Sequence, residues 1–149
     1  MERAPIETLS WTWVERALIT YLQLNRSIPE APWRGWLAAI ADPRTHNIII
    51  EVARGRTGAT NHQWLHSTLT TIRSGRRISL LSESKVAIRF AKMSEAIGMR
   101  VRVYHPDDLS EAMAYAESPP QELQTISAYL EERRAEDRSY WITIDGPRP

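Results

Sequence analysis

The chain has 149 residues, 42% hydrophobic and 25% charged, with a formal net charge of +1, values ordinary for one globular domain with a sizeable core. The absence of cysteine excludes disulfides, zinc–thiolate sites and thiol catalysis. No apolar run approaches the roughly 20 residues that a membrane-spanning helix needs, and the amino terminus, MERAPIETLSW, lacks the apolar centre of a secretory signal, so a cytoplasmic protein is expected.

Residues 1–9 read as a flexible leader. Ser10 to Glu15 (SWTWVE) reads as a short edge strand, and Leu18 to Leu24 (LITYLQL) as a clearer one with both faces largely apolar. The two form a hairpin if the chain turns at Glu15–Arg16. Pro32 suits the first turn of a helix, and Trp33, Trp36, Leu37 and Ile40 follow as one apolar stripe. Asp42-Pro43 ends it. Ile48 to Val52 (IIIEV) has the unbroken apolar character of a strand buried on both faces.

A loop carrying Gly55 and Gly58 follows, and a helix opens at Thr60 or Asn61, both good N-cap residues. Leu65, Leu69 and Ile72 form its expected buried seam, and Gly75 provides a left-handed exit. Arg77 to Leu81 is the next strand. Ser82 or Ser84 caps a helix whose Val86, Phe90, Met93 and Ile97 form an apolar stripe, ended by Gly98. Arg100 to Tyr104 (RVRVY) alternates, as expected of a strand near a sheet edge. Asp107 or Asp108 caps a helix with Leu109, Ala112, Met113 and Ala116 inward, and Pro119-Pro120 breaks it. In a last helix, Gln121 to Arg134, the apolar face is Leu123, Ile126 and Leu130, and EERRAEDR reads as solvated. Tyr140 to Ile144 is either a short strand or part of an irregular tail.

Strands alternating with helices of 10–14 residues imply an α/β domain with a mostly parallel sheet of four to five strands and about four helices. The expected organisation is a leader at 1–9, the domain at 10–118 and a C-terminal helix and tail at 119–149. In such sheets the functional surface lies at the carboxyl ends of the strands. Here that surface is the loop Arg54–Asn61 together with Ser82–Ser84.

Charge is unevenly divided. Residues 54–102 carry ten Lys/Arg and two acids, a net +8, and the rest of the chain carries −7. This points to a basic face and an acidic C-terminal part. The cations Arg73, Arg76, Arg77, Lys85, Arg89, Lys92, Arg100 and Arg102 are spread over two helices and a strand, without an RNA-recognition or helix-turn-helix signature. That favours an acidic protein partner, or a second copy of the chain, over nucleic acid. His62 and His66 have the i, i+4 spacing of a metal half-site, but HQWLH replaces the glutamate of H-E-x-x-H with Gln63 and no third ligand follows, so no metal is expected. The loop GRTG matches neither a Walker A motif nor G-x-G-x-x-G, and no nucleophile elbow occurs. No catalytic residue and no cofactor are implied. Trp33 and Trp36 are expected in the core; Trp11 and Trp141 either pack together or mark an interface.

The element order and the segment RRISLLSESKVAIRFAKMSEAIGMRVRVYHPDDLSEAMAYAE resemble the STAS domain of bacterial anti-sigma-factor antagonists and sulfate-transporter tails, over about Ile19 to Ala116. GRTGATNHQWLHSTL also resembles small bacterial STAS-like proteins. The resemblance implies a non-enzymatic regulatory or protein-interaction module. In anti-sigma antagonists a D-S-[ST]-G loop carries a phosphorylated hydroxyl. Laying IIIEVARGRTGATN on it puts Thr60 near the acceptor with Thr57 beside it, although no Asp precedes and no Gly follows. The site residues expected on these grounds are Arg54, Arg56, Thr57, Thr60, Asn61, Ser82 and Ser84. The alternative use of the same loop is to bind a nucleotide, an anion or a lipid.

Overall fold

A computed structural model describes residues 9–23, 27–53 and 61–145, with side chains at all of these except 61, 62, 64, 65, 86 and 140–145. Strands β1 (Leu9–Val14), β2 (Ala17–Leu22), β3 (Asn47–Val52), β4 (Arg77–Leu81) and β5 (Arg100–Tyr104) lie in sequential order in one sheet. β1 and β2 are an antiparallel hairpin, and the other pairings are parallel. The hairpin turns at Glu15–Arg16, as the sequence predicts, with Glu15 in the left-handed region (φ 53°). Helices α1 (Glu30–Ala41), α2 (Asn61–Ser74) and α3 (Lys85–Ala96) are the crossovers, and α4 (Leu109–Tyr115) and α5 (Leu123–Asp145) follow β5.

Sequential strand order has a direct consequence. Each crossover steps one strand in the same direction, so crossovers of one hand put their helices on one face. The two apolar cores follow that division. Leu18, Ile48, Ile50, Ile78, Leu80 and Val101 face α1, α2 and α3. Ile19, Ile49 and Leu81 face α4 and α5, where they meet Leu109, Met113, Ile126 and Leu130. Ser79, fully buried, donates a 2.6 Å hydrogen bond to the Ala112 carbonyl. Its small side chain lets α4 lie close to β4.

The breaks follow local chemistry. Gly75 (φ 67°) and Gly98 (φ 104°) both adopt the left-handed conformation expected of helix exits. The Ser84 hydroxyl accepts from the Ala87 N–H and caps α3. Trp33 and Trp36 are buried edge-to-face at 5.1 Å between centroids, and the Trp36 indole N–H donates to Thr20 Oγ1 at 2.8 Å. β5 is an edge strand, with Arg100 and Arg102 exposed.

Three expectations change. α5 does not stop near Arg134: it runs to Asp145, so Tyr140–Ile144 is helical and not a strand. Of the expected α2 seam, Ile72 packs against the core, Leu69 is 41% exposed and the Leu65 side chain lies outside the described ones; Gln63, Ser67, Thr68 and Thr71 are buried on this helix. On α3, Ala91 and Ser94 are buried and Ala87 and the expected Phe90 are half-buried, while Met93 and, at the helix end, Ile97 are 69% and 63% exposed; the Val86 side chain lies outside the described ones. Residues one apart on a helix differ by about 100° in azimuth, and the inward face of α3 is turned from the expected stripe so that Met93 and Ile97 fall outside it. Its ends determine this rotation. Ser84 is buried beside β4 as the cap, and the Met99 N–H bonds back to the Ser94 carbonyl. On α2, Gln63 donates to the Ile28 carbonyl and to Glu30, which ties its first turn to α1.

Candidate functional site

The carboxyl ends of β2 to β5 form one edge of the sheet. Of the residues the sequence places there, Arg54, Arg56, Thr57 and Thr60 lie outside the described residues. Asn61 is the first residue of α2. Ser82 and Ser84 are buried, and their hydroxyls serve the backbone: Ser82 Oγ bonds the Val52 carbonyl and accepts from the Ser84 N–H, and Ser84 caps α3. Such side-chain-to-backbone bonds shape the turn from β4 into α3. They bring β3, β4 and α3 together at the foot of the loop.

On the α5 side of the same edge the structure assembles a polar cluster that the sequence reading missed. Glu51 is the only charged residue in NIIIEV and its side chain is 5% exposed. Arg134 Nε donates to Glu51 Oε2 at 2.6 Å and a second guanidinium nitrogen to Oε1, a bidentate pair. Arg134 also meets Glu131 at 2.5 Å. The hydrogen bonds that Arg134 donates to Glu51 outweigh burial and hold its guanidinium above its already high pKa. One turn further along α5, the buried Asp137 carboxylate accepts from Tyr21 Oη at 2.8 Å and from Gln23 Nε2 at 2.5 Å. Burial, and then the Asp137 charge, push the Tyr21 phenol well above its ordinary pKa. A phenol so held is no base near neutrality. The cluster is fully hydrogen-bonded, and it latches α5 to the sheet edge.

The signal was present in part. A lone Glu in an apolar strand demands a buried counter-charge. Its partner lies in EERRAEDR, where Arg134 and Asp137 turn inward while Glu131 and Glu132 remain exposed. At the ends of β4 and β5, His105 Nε2 lies 2.6 Å from Glu83 Oε1, and His105 Nδ1 accepts from the Asp107 N–H at 3.1 Å. Among the described residues no three His, Asp or Glu side chains converge as a metal site. His66 is exposed on α2.

The basic surface divides in two. Arg76 donates to the Asp42 carbonyl, and burial lowers its pKa. Arg77 pairs with Glu117 at 2.8 Å, and Arg102 stacks over the Tyr115 ring at 4.6 Å. Arg73, Lys85, Arg89 and Lys92 are instead exposed on α2 and α3, the two helices that carry Leu69, Met93 and Ile97 outward. No described helix is long and apolar enough to cross a membrane. Comparison with protein-family models, with curated proteins and with solved structures yields no match.

Proposed function

We propose that this chain is a non-enzymatic, STAS-like regulatory module that works by docking an acidic protein surface. The observation that carries the reading is the partly inverted character of α2 and α3. Both bury several small or hydroxyl side chains beside Ile72 and Phe90, while Leu69, Met93 and Ile97 face solvent, with Arg73, Lys85, Arg89 and Lys92 exposed on the same helices. An apolar patch rimmed by like charge marks a protein contact. In the sequence Arg54, Arg56, Thr57 and Thr60 stand just before α2 and add two cations to this segment; they lie outside the described residues. The sequential sheet with its crossover helices on one face supports the STAS-like assignment.

A second copy of the chain can act as the acidic partner. α5 exposes Glu131 and Glu132, which pair with Arg134 and Arg133 on the same helix, and residues 54–102 carry +8 against −7 in the rest of the chain. Sedimentation velocity of the full chain across protein and salt concentration tests this. Self-association that weakens with salt and is lost in Arg89→Glu/Lys92→Glu supports the copy as partner. If the chain stays monomeric, a photo-crosslinker at position 93 in native cells should trap a protein that the charge-reversed variant does not trap. A monomer whose cross-links are unchanged by charge reversal sinks the reading.

A further inference from the structure

Between the sheet and helices α1, α2 and α3 lies a cavity of about 100 Å³. Ile50, Leu80 and Val101 form its floor, and Thr71, Ala91 and Ser94 form part of its roof. We infer that this cavity is a binding site for a compact apolar molecule, a single aromatic ring or a short alkyl chain.

The lining decides the ligand's chemistry. The cavity wall is largely apolar, and three of the five hydroxyl residues that line it are engaged elsewhere. Thr20 accepts from the Trp36 indole, Thr71 donates to the Ser67 carbonyl, and Ser84 caps α3; Ser67 and Ser94 are the other two. A water molecule needs two to four polar partners to be held in a buried site, and apolar cavities of this order, roughly 150 Å³ in the best-studied case, stay dry and take up benzene or xenon. No charged side chain lines the space, so a phosphate or carboxylate would enter without a counter-charge.

The way the cavity arises argues that it is kept rather than left over. Protein interiors are normally packed to crystal density. Filling this one requires only large side chains on α3 where Ala91 and Ser94 now stand. On α3 Phe90 lines the space beside them, while Met93, next to Ser94, and Ile97 at the helix end point to solvent. The small side chains at Ala91 and Ser94 open the space, and the same rotation puts Met93 outside. The ligand site shares that rotation with the docking face, and substitutions at Ala91 and at Met93 separate the two.

The test is a benzene titration of the full chain, followed by the methyl resonances of labelled Ile, Leu and Val. Saturable shifts at Ile50, Leu80 and Val101, with a matching rise in thermal midpoint, are expected. Ala91→Leu fills the space and should weaken benzene at least about tenfold while the chain stays folded. Ala91→Val serves if the larger side chain prevents folding, and Met93→Ser on the outer stripe should leave affinity unchanged. Shifts that never saturate, shifts confined to Leu69 and Ile97, or equal affinity in the Ala91 variants would each overturn the site. So would close proton contacts between Met93 and Leu80 in the free protein, because they would mean that α3 turns and closes the cavity itself.

Discussion

Replacing Arg134 with Met tests whether α5 is latched to the sheet edge. The change keeps most of the aliphatic bulk and removes the guanidinium. Glu51, 5% exposed, then loses both bonds of its bidentate pair, while Arg134 itself was only 24% exposed. Water therefore cannot readily replace the lost partner. Leaving one member of a buried pair uncompensated costs about 3–5 kcal/mol, a large share of the roughly 5–15 kcal/mol that holds a domain folded. At about 2–4 °C per kcal/mol for a chain near this size, the midpoint should fall by roughly 6–20 °C. Urea unfolding followed by tryptophan fluorescence and by circular dichroism gives the free energy. The double variant Glu51→Leu/Arg134→Met should cost less than either single change, because it removes both charges together. A loss below about 1 kcal/mol for Arg134→Met, the range of an exposed pair, would refute the buried latch. A double variant equal to the sum of the singles would refute the coupling.

Tyr21 carries a pH signature. Its phenol is raised in the folded state above the ordinary value of 10.0, so the folded chain holds the proton that the unfolded chain releases. The stabilisation is complete below pH 10 and is lost as pH rises above it, by at most about 1.4 kcal/mol per pH unit. Tyr21→Phe should flatten this alkaline limb in pH-dependent unfolding; an unchanged limb would contradict the assignment. Thr20→Val should cost about 1–3 kcal/mol in denaturant unfolding, because it leaves the Trp36 indole N–H buried without an acceptor, whereas Thr20→Ser should cost much less. Glu117 sits at φ 56° after α4, and the Ser118 N–H bonds back to Met113. Glu117→Gly should stabilise by about 0.5 kcal/mol, the left-handed penalty outweighing the entropy cost of glycine. A net loss in thermal midpoint would instead show that the Arg77–Glu117 pair dominates.

Elements and their breaks were legible in the sequence because local chemistry sets them. The β1–β2 hairpin at Glu15–Arg16, the exits at Gly75 and Gly98, the Ser84 cap and the edge character of RVRVY all rest on contacts within a few residues. An α/β chain with a mostly parallel sheet follows from the alternation alone. The candidate loop could be located by the rule of strand ends, but the role of Ser82 could not. Its hydroxyl answers the Val52 carbonyl on β3, which only the folded arrangement brings near.

What the sequence alone determined, then, is where most elements begin and end, the length of α5 excepted, and that one end of the sheet carries the candidate loops. Tertiary structure decided which way each helix turns. On α3 periodicity favoured Phe90, Met93 and Ile97 together. The cap at Ser84 and the return at Met99 instead turn Ala91 and Ser94 inward beside Phe90 and leave Met93 and Ile97 outside. Tertiary structure also decided the fate of Glu51, because a counter-charge 83 residues away leaves no periodic trace. Local rules act through neighbouring dihedral angles and hydrogen bonds. Helix rotation and buried charge pairing are settled by surfaces that meet only when the sheet has formed.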